Sequence, residues 1–316
     1  MYIHNPKRVT QLSSQRLGVV RHHNGDVMLI LRIAIILIVL IPSCSKDTVG
    51  HVTSFDGVTI EYEMHGKGNQ SLVFIHGWCC DRTYWAQQIS HFSKSYHVIS
   101  IDLAGHGGSS RNRTEWSMNA YGEDIASVIN NTNAKEIVLI GHSAGAFAAL
   151  AGAVLLQDRT VGIIGADGFR FSKPDYLERR YSEQKLQEIE DSFGDDFAAD
   201  MKETVTRWFL PQSDTNLVNW VAKDMGEAPR DVAIPAALAY MKYLNGDLQK
   251  DLRTMGNKIP IVEIRAGDKG KVALEHVREY APLFEVVYQY GVGHFLMMED
   301  PNTFNGLLEK QLKQIF

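Results

Sequence analysis

The chain has 316 residues, of which 45% are hydrophobic and 22% are charged, so it is long enough for one large domain or for a domain with an insertion. Its formal net charge is −5 at pH 7, and no basic run with interleaved aromatic residues occurs, which argues against a nucleic-acid-binding protein. The adjacent Cys79 and Cys80 could form only a strained bridge, so no disulfide framework is predicted. No Cys/His spacing or Gly-rich phosphate loop predicts a metal or a cofactor, and we expect neither.

The first 44 residues are predicted to be a leader and a signal peptide that do not belong to the fold. Residues 1–27 are polar and aperiodic, and Met1 and Met28 are both candidates for the first translated residue. From Met28 a charged segment leads into nine apolar residues, Ile33–Ile41, which is the pattern of a secretory signal peptide. Nine residues are too few to span a bilayer, which takes about 20.

Residues 41–44 read Ile-Pro-Ser-Cys and resemble the lipobox of bacterial lipoproteins, in which the cysteine becomes the first mature residue and carries lipid. The usual pattern has Leu where this chain has Ile41. The resemblance implies an exported protein held to a membrane through Cys44, facing the periplasm or the cell exterior. A plain signal peptide or a short membrane anchor with an incidental cysteine stays the alternative. Residues 45–51 would then be a linker.

From residue 52 the chain alternates predicted strands with predicted helices. Asp56-Gly57 is a hairpin signal between the first two strands. Short apolar runs predict strands, and amphipathic or small-residue stretches predict the helices between them. The predicted strands are Val52–Phe55, Val58–Met64, Ser71–Ile75, Tyr96–Ile101, Ile137–Ile140, Val161–Ala166, Ile259–Ala266 and Phe284–Tyr290. This pattern predicts an α/β fold with a mostly parallel, eight-stranded sheet and helices on both faces.

Between strands 6 and 7 the strand pattern stops for the residues 169–258, which are charged and predicted to be helical. A helical insertion at this place is most simply a lid over the carboxyl ends of the strands, where ligands bind. We therefore expect a core of residues 52–168 and 259–316, with residues 169–258 as a helical cap.

The stretch Gly141-His142-Ser143-Ala144-Gly145 lies between a predicted strand and a predicted helix. Glycines two positions either side of a serine permit a tight strand-to-helix turn that lifts the hydroxyl off the sheet. The N-terminus of the following helix then points toward whatever reacts there. Ser143 is therefore predicted to be a nucleophile.

The chain from about residue 52 to its end resembles the α/β-hydrolase superfamily. Four motifs carry the resemblance, in this order: His76-Gly77-Trp78, Asp102-x-x-Gly105-His106-Gly107-x-Ser109, Gly141-His142-Ser143-Ala144-Gly145 and Gly293-His294. The superfamily places its catalytic residues in the chain order Ser, acid, His. The resemblance implies His294 as the general base, and it implies packing and hydrogen-bonding roles for the other histidines in these motifs.

Two carboxylates are candidates for the acid that orients His294. The family's usual turn after the penultimate strand is Gly, two residues, Asp, and counting from Gly267 puts Gly270 at the Asp position. We take the turn as shortened and Asp268 as the acid, because its separation of 26 residues from His294 suits the family's intervening helix and strand. Asp167 stays the alternative, because some members place their acid after the preceding strand.

Acyl transfer also requires donors for the developing oxyanion. The resemblance and the geometry of the turn both indicate the backbone N–H groups of Trp78 and Ala144.

The resulting prediction is a cofactor-free, carboxylesterase-like serine hydrolase for a small to medium hydrophobic ester or lactone. Haloalkane dehalogenases and epoxide hydrolases of the superfamily carry Asp at the nucleophile position, so Ser143 argues against both activities. A perhydrolase, a carbon–carbon bond hydrolase and a non-catalytic lipoprotein that binds a small ligand stay open.

Overall fold

The computed structural model describes residues 48–316. The predicted leader and Cys44 lie outside the described residues, so the lipid anchor stays a prediction. Within residues 48–316, no helix combines the length and the apolar character needed to cross a membrane. The same residues contain no group of three or more His, Cys, Asp or Glu side chains arranged to hold a metal ion.

Eight strands form one sheet in the order β1-β2-β4-β3-β5-β6-β7-β8. The pairs β1–β2 and β2–β4 are antiparallel, and all other neighbours are parallel. The strands are β1 Thr48–Thr53, β2 Thr59–His65, β3 Gln70–Ile75, β4 His97–Ile101, β5 Glu136–His142, β6 Thr160–Ala166, β7 Ile261–Ala266 and β8 Phe284–Gln289. The predicted mostly parallel, eight-stranded sheet is confirmed.

The first strand begins earlier than the sequence indicated. Residues 48–51, predicted to be part of a linker, pair with β2, and the strand ends at Thr53 instead of Phe55. It ends there because the amide of Ser54 donates to the carbonyl of Val58 and closes the hairpin turn.

Helices connect the strands and cover the sheet. They are α1 Ala86–Phe92, α2 Met118–Asn130, α3 Ala144–Leu155, α4 Glu183–Asp191, α5 Phe197–Trp208, α6 Thr215–Gly226, α7 Arg230–Tyr243, α8 Asp247–Gly256, α9 Leu274–Arg278, α10 Leu296–Glu299 and α11 Pro301–Ile315. Short 3₁₀ helices precede α1, α4 and α9.

Alternation along the central strands explains why helices pack on both faces. In β3, Val73 and Ile75 enter one buried cluster with residues of α2, α3 and α8, whereas Leu72 and Phe74 enter another with residues of α1 and α11. All four side chains are fully buried. Burial of each such side chain contributes about 1.5–3 kcal/mol. A central strand that is apolar on both faces therefore requires a helical layer on each side.

The helices α4 to α8 occupy the segment between β6 and β7. Side chains of α4, α5, α6 and α7 line a cavity together with residues at the carboxyl ends of β3 and β5. Helix α8 contributes no residue to this cavity, and its Leu248, Leu252 and Met255 belong to the buried cluster that contains Leu150 of α3. By packing, α8 is thus part of the layer that covers the sheet, although the predicted cap bounds of 169–258 include it.

Candidate active site

Ser143 lies at the sharp turn between β5 and α3, in a backbone conformation that non-glycine residues rarely adopt. Its φ is 50° and its ψ is −123°. A Cβ on Gly141 would overlap the backbone of Ala146, and a Cβ on Gly145 would overlap the carbonyl oxygen of His76. Strained conformations of this kind cost about 1–3 kcal/mol and persist only where the surroundings impose them. The two glycines are therefore needed because the turn is packed against neighbouring backbone.

The ring of His294 connects Ser143 to a carboxylate. Its Nε2 lies 2.9 Å from Oγ of Ser143, and its Nδ1 lies 2.6 Å from Oδ2 of Asp167. His294 is only 3% exposed. Since an ionised carboxylate can only accept, Nδ1 carries the proton and Nε2 is left to accept the hydrogen of the serine hydroxyl. This is the arrangement in which an imidazole can activate a serine.

The structure corrects the predicted acid, because the carboxylate at the His294 ring belongs to Asp167 and not to Asp268. Asp167 directly follows β6, which is the strand next to β5 and Ser143. Asp268 follows β7, one strand further away, and it is exposed in a 3₁₀ turn where its Oδ2 accepts the amide of Gly291 at 2.6 Å. The sequence contained one signal for this result, because Gly270 occupies the position where the family's usual turn after this strand has Asp.

Asp167 is held by several donors. Its Oδ1 accepts from Nη1 of Arg265 at 2.9 Å and from the amide of Ala266 at 3.2 Å. Its φ is 48°, in the left-handed region that Asp tolerates better than most residues. Burial alone raises the pKa of Asp167, but the hydrogen bond from His294, which is protonated at the low pH where Asp167 titrates, and the charges of His294, Arg265 and Arg170 outweigh it and lower the pKa to about 2. Asp167 is therefore ionised at neutral pH.

His294 is neutral at neutral pH. Burial lowers its pKa below the ordinary 6.5, and the hydrogen bond to Asp167 opposes this only in part. The positive charges of Arg170 and Arg265 also lower it. A neutral imidazole beside an ionised carboxylate is the protonation state that a general base requires.

The loop that carries His294 is fixed by groups that the sequence analysis did not identify. The amide of His294 donates to the carbonyl of Trp208, at the end of α5, at 2.9 Å. The amide of Gly293 donates to Oε1 of Glu299 at 2.8 Å, and Oε2 of Glu299 accepts from the Ser213 hydroxyl at 2.6 Å. Trp208 and Ser213 lie in the segment between β6 and β7, so this segment helps to position the ring.

The histidines of the other motifs bind main-chain groups. His76 accepts the amide of Leu103 with Nε2 at 2.9 Å, and its Nδ1 faces the carbonyl of Gly77 at 2.8 Å. Nε2 of His142 lies 3.0 Å from the carbonyl of His294, to which it donates. Burial lowers the pKa of His76 to about 4 and that of His142 well below its ordinary value. Both rings are therefore neutral and connect adjacent turns.

The two amides expected to stabilise an oxyanion border the same cavity as Ser143. Trp78 and Ala144 both line it, and neither amide hydrogen-bonds to another residue within 48–316. A Cβ on Gly77 would lie 3.3 Å from the Cβ of Ser143, which places the start of this turn beside the serine. The Trp78 ring donates from Nε1 to the carbonyl of Ala233 in α7 at 2.7 Å. The ring thus forms a wall between the sheet and the inserted helices.

The cavity above Ser143 has a volume of about 460 Å³. Its floor contains Ser143, His294, Trp78 and Phe147. Its roof is contributed by α4 to α7 and the turn between α4 and α5, and is mostly apolar and aromatic: Ile189, Phe193, Phe197, Met201, Met225, Tyr240 and Met241. A cavity of this size and lining is typical of a small-molecule site.

Comparisons with known proteins agree with this architecture. The model of the alpha/beta hydrolase family matches residues 72–307. The chain is 25% identical over 268 residues to a dihydrolipoyllysine-residue acetyltransferase component of the acetoin cleaving system of Cupriavidus necator, covering 81% of this chain and 67% of that protein. It is 33% identical over 99 residues to a bifunctional esterase/perhydrolase of Acinetobacter calcoaceticus, covering 31% of this chain and only 36% of that protein.

A solved structure of a thermophilic esterase from Thermogutta terrifontis superposes with a TM-score of 0.70 at 21% identity, covering 85% of this chain and 99% of that one. At this identity the likeness shows the fold alone. The family match extends from β3 into α11 and includes Ser143, Asp167 and His294. The chain belongs to the alpha/beta hydrolase family.

Proposed function

We propose that this hydrolase cleaves carboxylic esters through an acyl-enzyme on Ser143. The observation that carries the proposal is the continuous path from Oγ of Ser143 through the His294 ring to Asp167, with contacts of 2.9 and 2.6 Å. Both contacts are within the range required for proton transfer. The carboxylesterase-like activity expected from the sequence thus has a complete set of catalytic groups, with Asp167 as the acid.

In the first half of the proposed reaction, Oγ of Ser143 attacks the ester carbonyl carbon while Nε2 of His294 accepts the hydroxyl proton. The amides of Trp78 and Ala144 stabilise the oxyanion, and loss of one such donor costs about 3–4 kcal/mol. Protonated His294, stabilised by Asp167, then gives its proton to the leaving oxygen. The C–O bond breaks, the alcohol departs, and the acyl group stays on Ser143.

In the second half, water replaces the alcohol. His294 takes a proton from the water as its oxygen attacks the acyl carbon, and it returns that proton to Oγ of Ser143 when the carboxylic acid leaves. No step requires a metal or a redox group. The apolar roof of the cavity suits a small to medium hydrophobic acyl chain or a lactone.

Two measurements on the purified protein test this proposal. The first is covalent labelling by a fluorophosphonate, and the second is turnover of p-nitrophenyl esters from acetate to palmitate. Ser143→Ala should abolish both, and Ser95→Ala, which changes an exposed serine between α1 and β4, is the matched control. The chain-length profile will show which acyl groups the cavity accepts. Absence of labelling in the unsubstituted protein would overturn the proposal and favour a non-catalytic ligand-binding protein.

Perhydrolysis is a second candidate, favoured by the similarity to the esterase/perhydrolase of Acinetobacter calcoaceticus. Hydrogen peroxide would attack the acyl-enzyme in place of water, so that a peracid leaves and Ser143 is regenerated. The test is peracid formation from acetate esters with hydrogen peroxide present, detected by bromination of monochlorodimedone. If peroxide does not change the product, acyl transfer to water is the reaction.

A further inference from the structure

Arg170 places a positive charge in the wall of the catalytic cavity. It lies three residues after Asp167, on the loop that leaves β6, and it lines the same cavity as Ser143 and His294. Its side chain is half-buried. Within residues 48–316 its guanidinium forms neither a hydrogen bond nor an ion pair.

The other ionised side chains that line the cavity have partners. Arg207 pairs with Glu203 at 2.8 Å. Asp200 accepts the amide of Gly194 at 2.8 Å. Among the charged residues of this cavity, Arg170 is thus the one without a described partner.

Neither of the acidic groups Asp167 and Glu263, which lie deeper in the protein, forms a hydrogen bond with the side chain of Arg170. Both oxygens of Asp167 are occupied, one by His294 and the other by Arg265 and the amide of Ala266. Glu263 is fully buried and its Oε2 accepts the amide of Phe169 at 3.1 Å. Because burial raises the pKa of Glu263 to about 8, this carboxyl is largely uncharged at neutral pH.

The surroundings of Arg170 make an unpaired charge unfavourable. Phe147 and Tyr240 line the cavity with it, and the ring of Phe147 packs against that of Tyr240 with centroids 5.0 Å apart. A partly desolvated cation in such a wall loses part of its hydration, and an anionic ligand can replace it. A guanidinium presents a planar fork that matches a carboxylate with two parallel hydrogen bonds.

We propose that Arg170 binds a carboxylate of the substrate, so that the preferred substrates are esters that carry a free carboxylate, such as monoesters of dicarboxylic acids. This inference rests on the proposed esterase function and narrows its substrate class. Ser143 and Arg170 open into one cavity, so a single small molecule can contact both. The rest of such a molecule would lie against the apolar roof.

The test compares two substrates that differ by one charge, p-nitrophenyl hydrogen adipate and p-nitrophenyl methyl adipate. The unsubstituted protein should have a higher kcat/KM for the anionic ester. At a pH where His294 is neutral in both proteins, Arg170→Gln should lower kcat/KM for the anionic ester by about 10- to 100-fold, mainly through KM, and change the neutral ester by less than about threefold. Arg170→Lys should keep part of the preference, because it retains the charge without the fork.

Arg179→Gln is the matched control, because it removes the same charge from the same segment at a residue that does not line the cavity. It should leave the ratio between the two esters unchanged. A binding readout is protection by adipate against fluorophosphonate labelling, which should occur in the unsubstituted protein and be lost in Arg170→Gln.

Three results would overturn the inference. Equal turnover of the two esters by the unsubstituted protein would show that no carboxylate is recognised, while the proposed esterase function would stand. An equal loss on both esters in Arg170→Gln would show that Arg170 acts on the Ser143–His294–Asp167 set. Absence of both turnover and labelling in the unsubstituted protein would overturn the proposed function, and the inference with it.

Discussion

Nη1 of Arg265 donates to Oδ1 of Asp167 at 2.9 Å, on the carboxylate oxygen that does not face His294. Arg265 is in β7 and Asp167 follows β6, so the pair connects two adjacent strands at the edge where the cavity opens. The remaining oxygen of Asp167 is directed at Nδ1 of His294. Arg265 therefore acts as a positioning residue for the acid of the proposed mechanism.

Substitution of each carboxylate in turn should show whether Asp167 or Asp268 is the acid that orients His294. Asp167→Asn should reduce kcat for a p-nitrophenyl ester by about 10²–10⁴, because an amide favours the wrong imidazole tautomer and does not stabilise the protonated ring. Asp268→Asn is the control, and a loss under about tenfold is expected because it alters an exposed hydrogen bond to Gly291. A severe loss in Asp268→Asn with near-normal activity in Asp167→Asn would contradict the observed geometry.

The activity should persist into mildly acidic solution. The active form contains neutral His294, whose pKa lies below 6.5 through burial and the charges of Arg170 and Arg265, opposed in part by Asp167. Because the neutral form dominates above that pKa, kcat/KM should rise with pH and reach half its plateau below pH 6.5. A profile of kcat/KM against pH measures this midpoint. A midpoint at or above the ordinary histidine value would contradict the burial argument.

The loop that carries His294 should depend on Glu299. Glu299→Ala removes the acceptor of the Gly293 amide, and we expect kcat to fall about tenfold with little change in KM. Glu299→Gln keeps an oxygen that can accept this amide and should restore most of the activity. Glu309→Ala, at a half-buried acid of α11 paired with His91, is the matched control. If Glu299→Gln were as impaired as Glu299→Ala, the hydrogen bond to Gly293 would not be what positions the ring.

Glu263 should contribute less to the stability of the fold as pH rises above about 4.5. The pKa of this buried carboxyl is about 8 in the folded protein, against 4.5 for an exposed one. Between these values the folded state keeps a proton that the unfolded state releases, so the free energy of unfolding decreases with increasing pH. Glu263→Gln cannot release this proton. The Tm of Glu263→Gln minus that of the unsubstituted protein should therefore be larger near pH 8.5 than near pH 5. An equal difference in Tm at both pH values would refute this assignment.

The predicted lipid anchor can be tested apart from the fold. In a bacterial host that processes lipoproteins, the full chain should incorporate labelled palmitate and sediment with membranes, and Cys44→Ala should do neither. Cys79→Ala is the matched control, because Cys79 is a buried free cysteine. Release of the unlabelled, unsubstituted chain into the soluble fraction would favour a plain signal peptide.

The sequence by itself determined most of the secondary structure and two members of the proposed catalytic set, Ser143 and His294. Short apolar runs such as Ser71–Ile75, which is buried at every position, predict strands because the pattern of side chains is a local property. The elbow at Ser143 could be predicted for the same reason, since the glycines that permit it are adjacent in the chain. His294 could be placed through the resemblance, because its motif directly follows the last strand.

Only the tertiary structure decided which carboxylate meets His294. Asp167 and Asp268 both follow a strand, and the distance along the chain favoured Asp268, which was wrong. The positions of the two side chains in space distinguish them, because Oδ2 of Asp167 lies 2.6 Å from Nδ1 of His294 whereas Oδ2 of Asp268 accepts the amide of Gly291. The same holds for Arg170, whose lack of a partner depends on where Arg265, Glu263 and the roof of the cavity lie in space. Hydrogen bonds and ion pairs between distant segments are set by the packing of the sheet, and local sequence patterns do not contain that information.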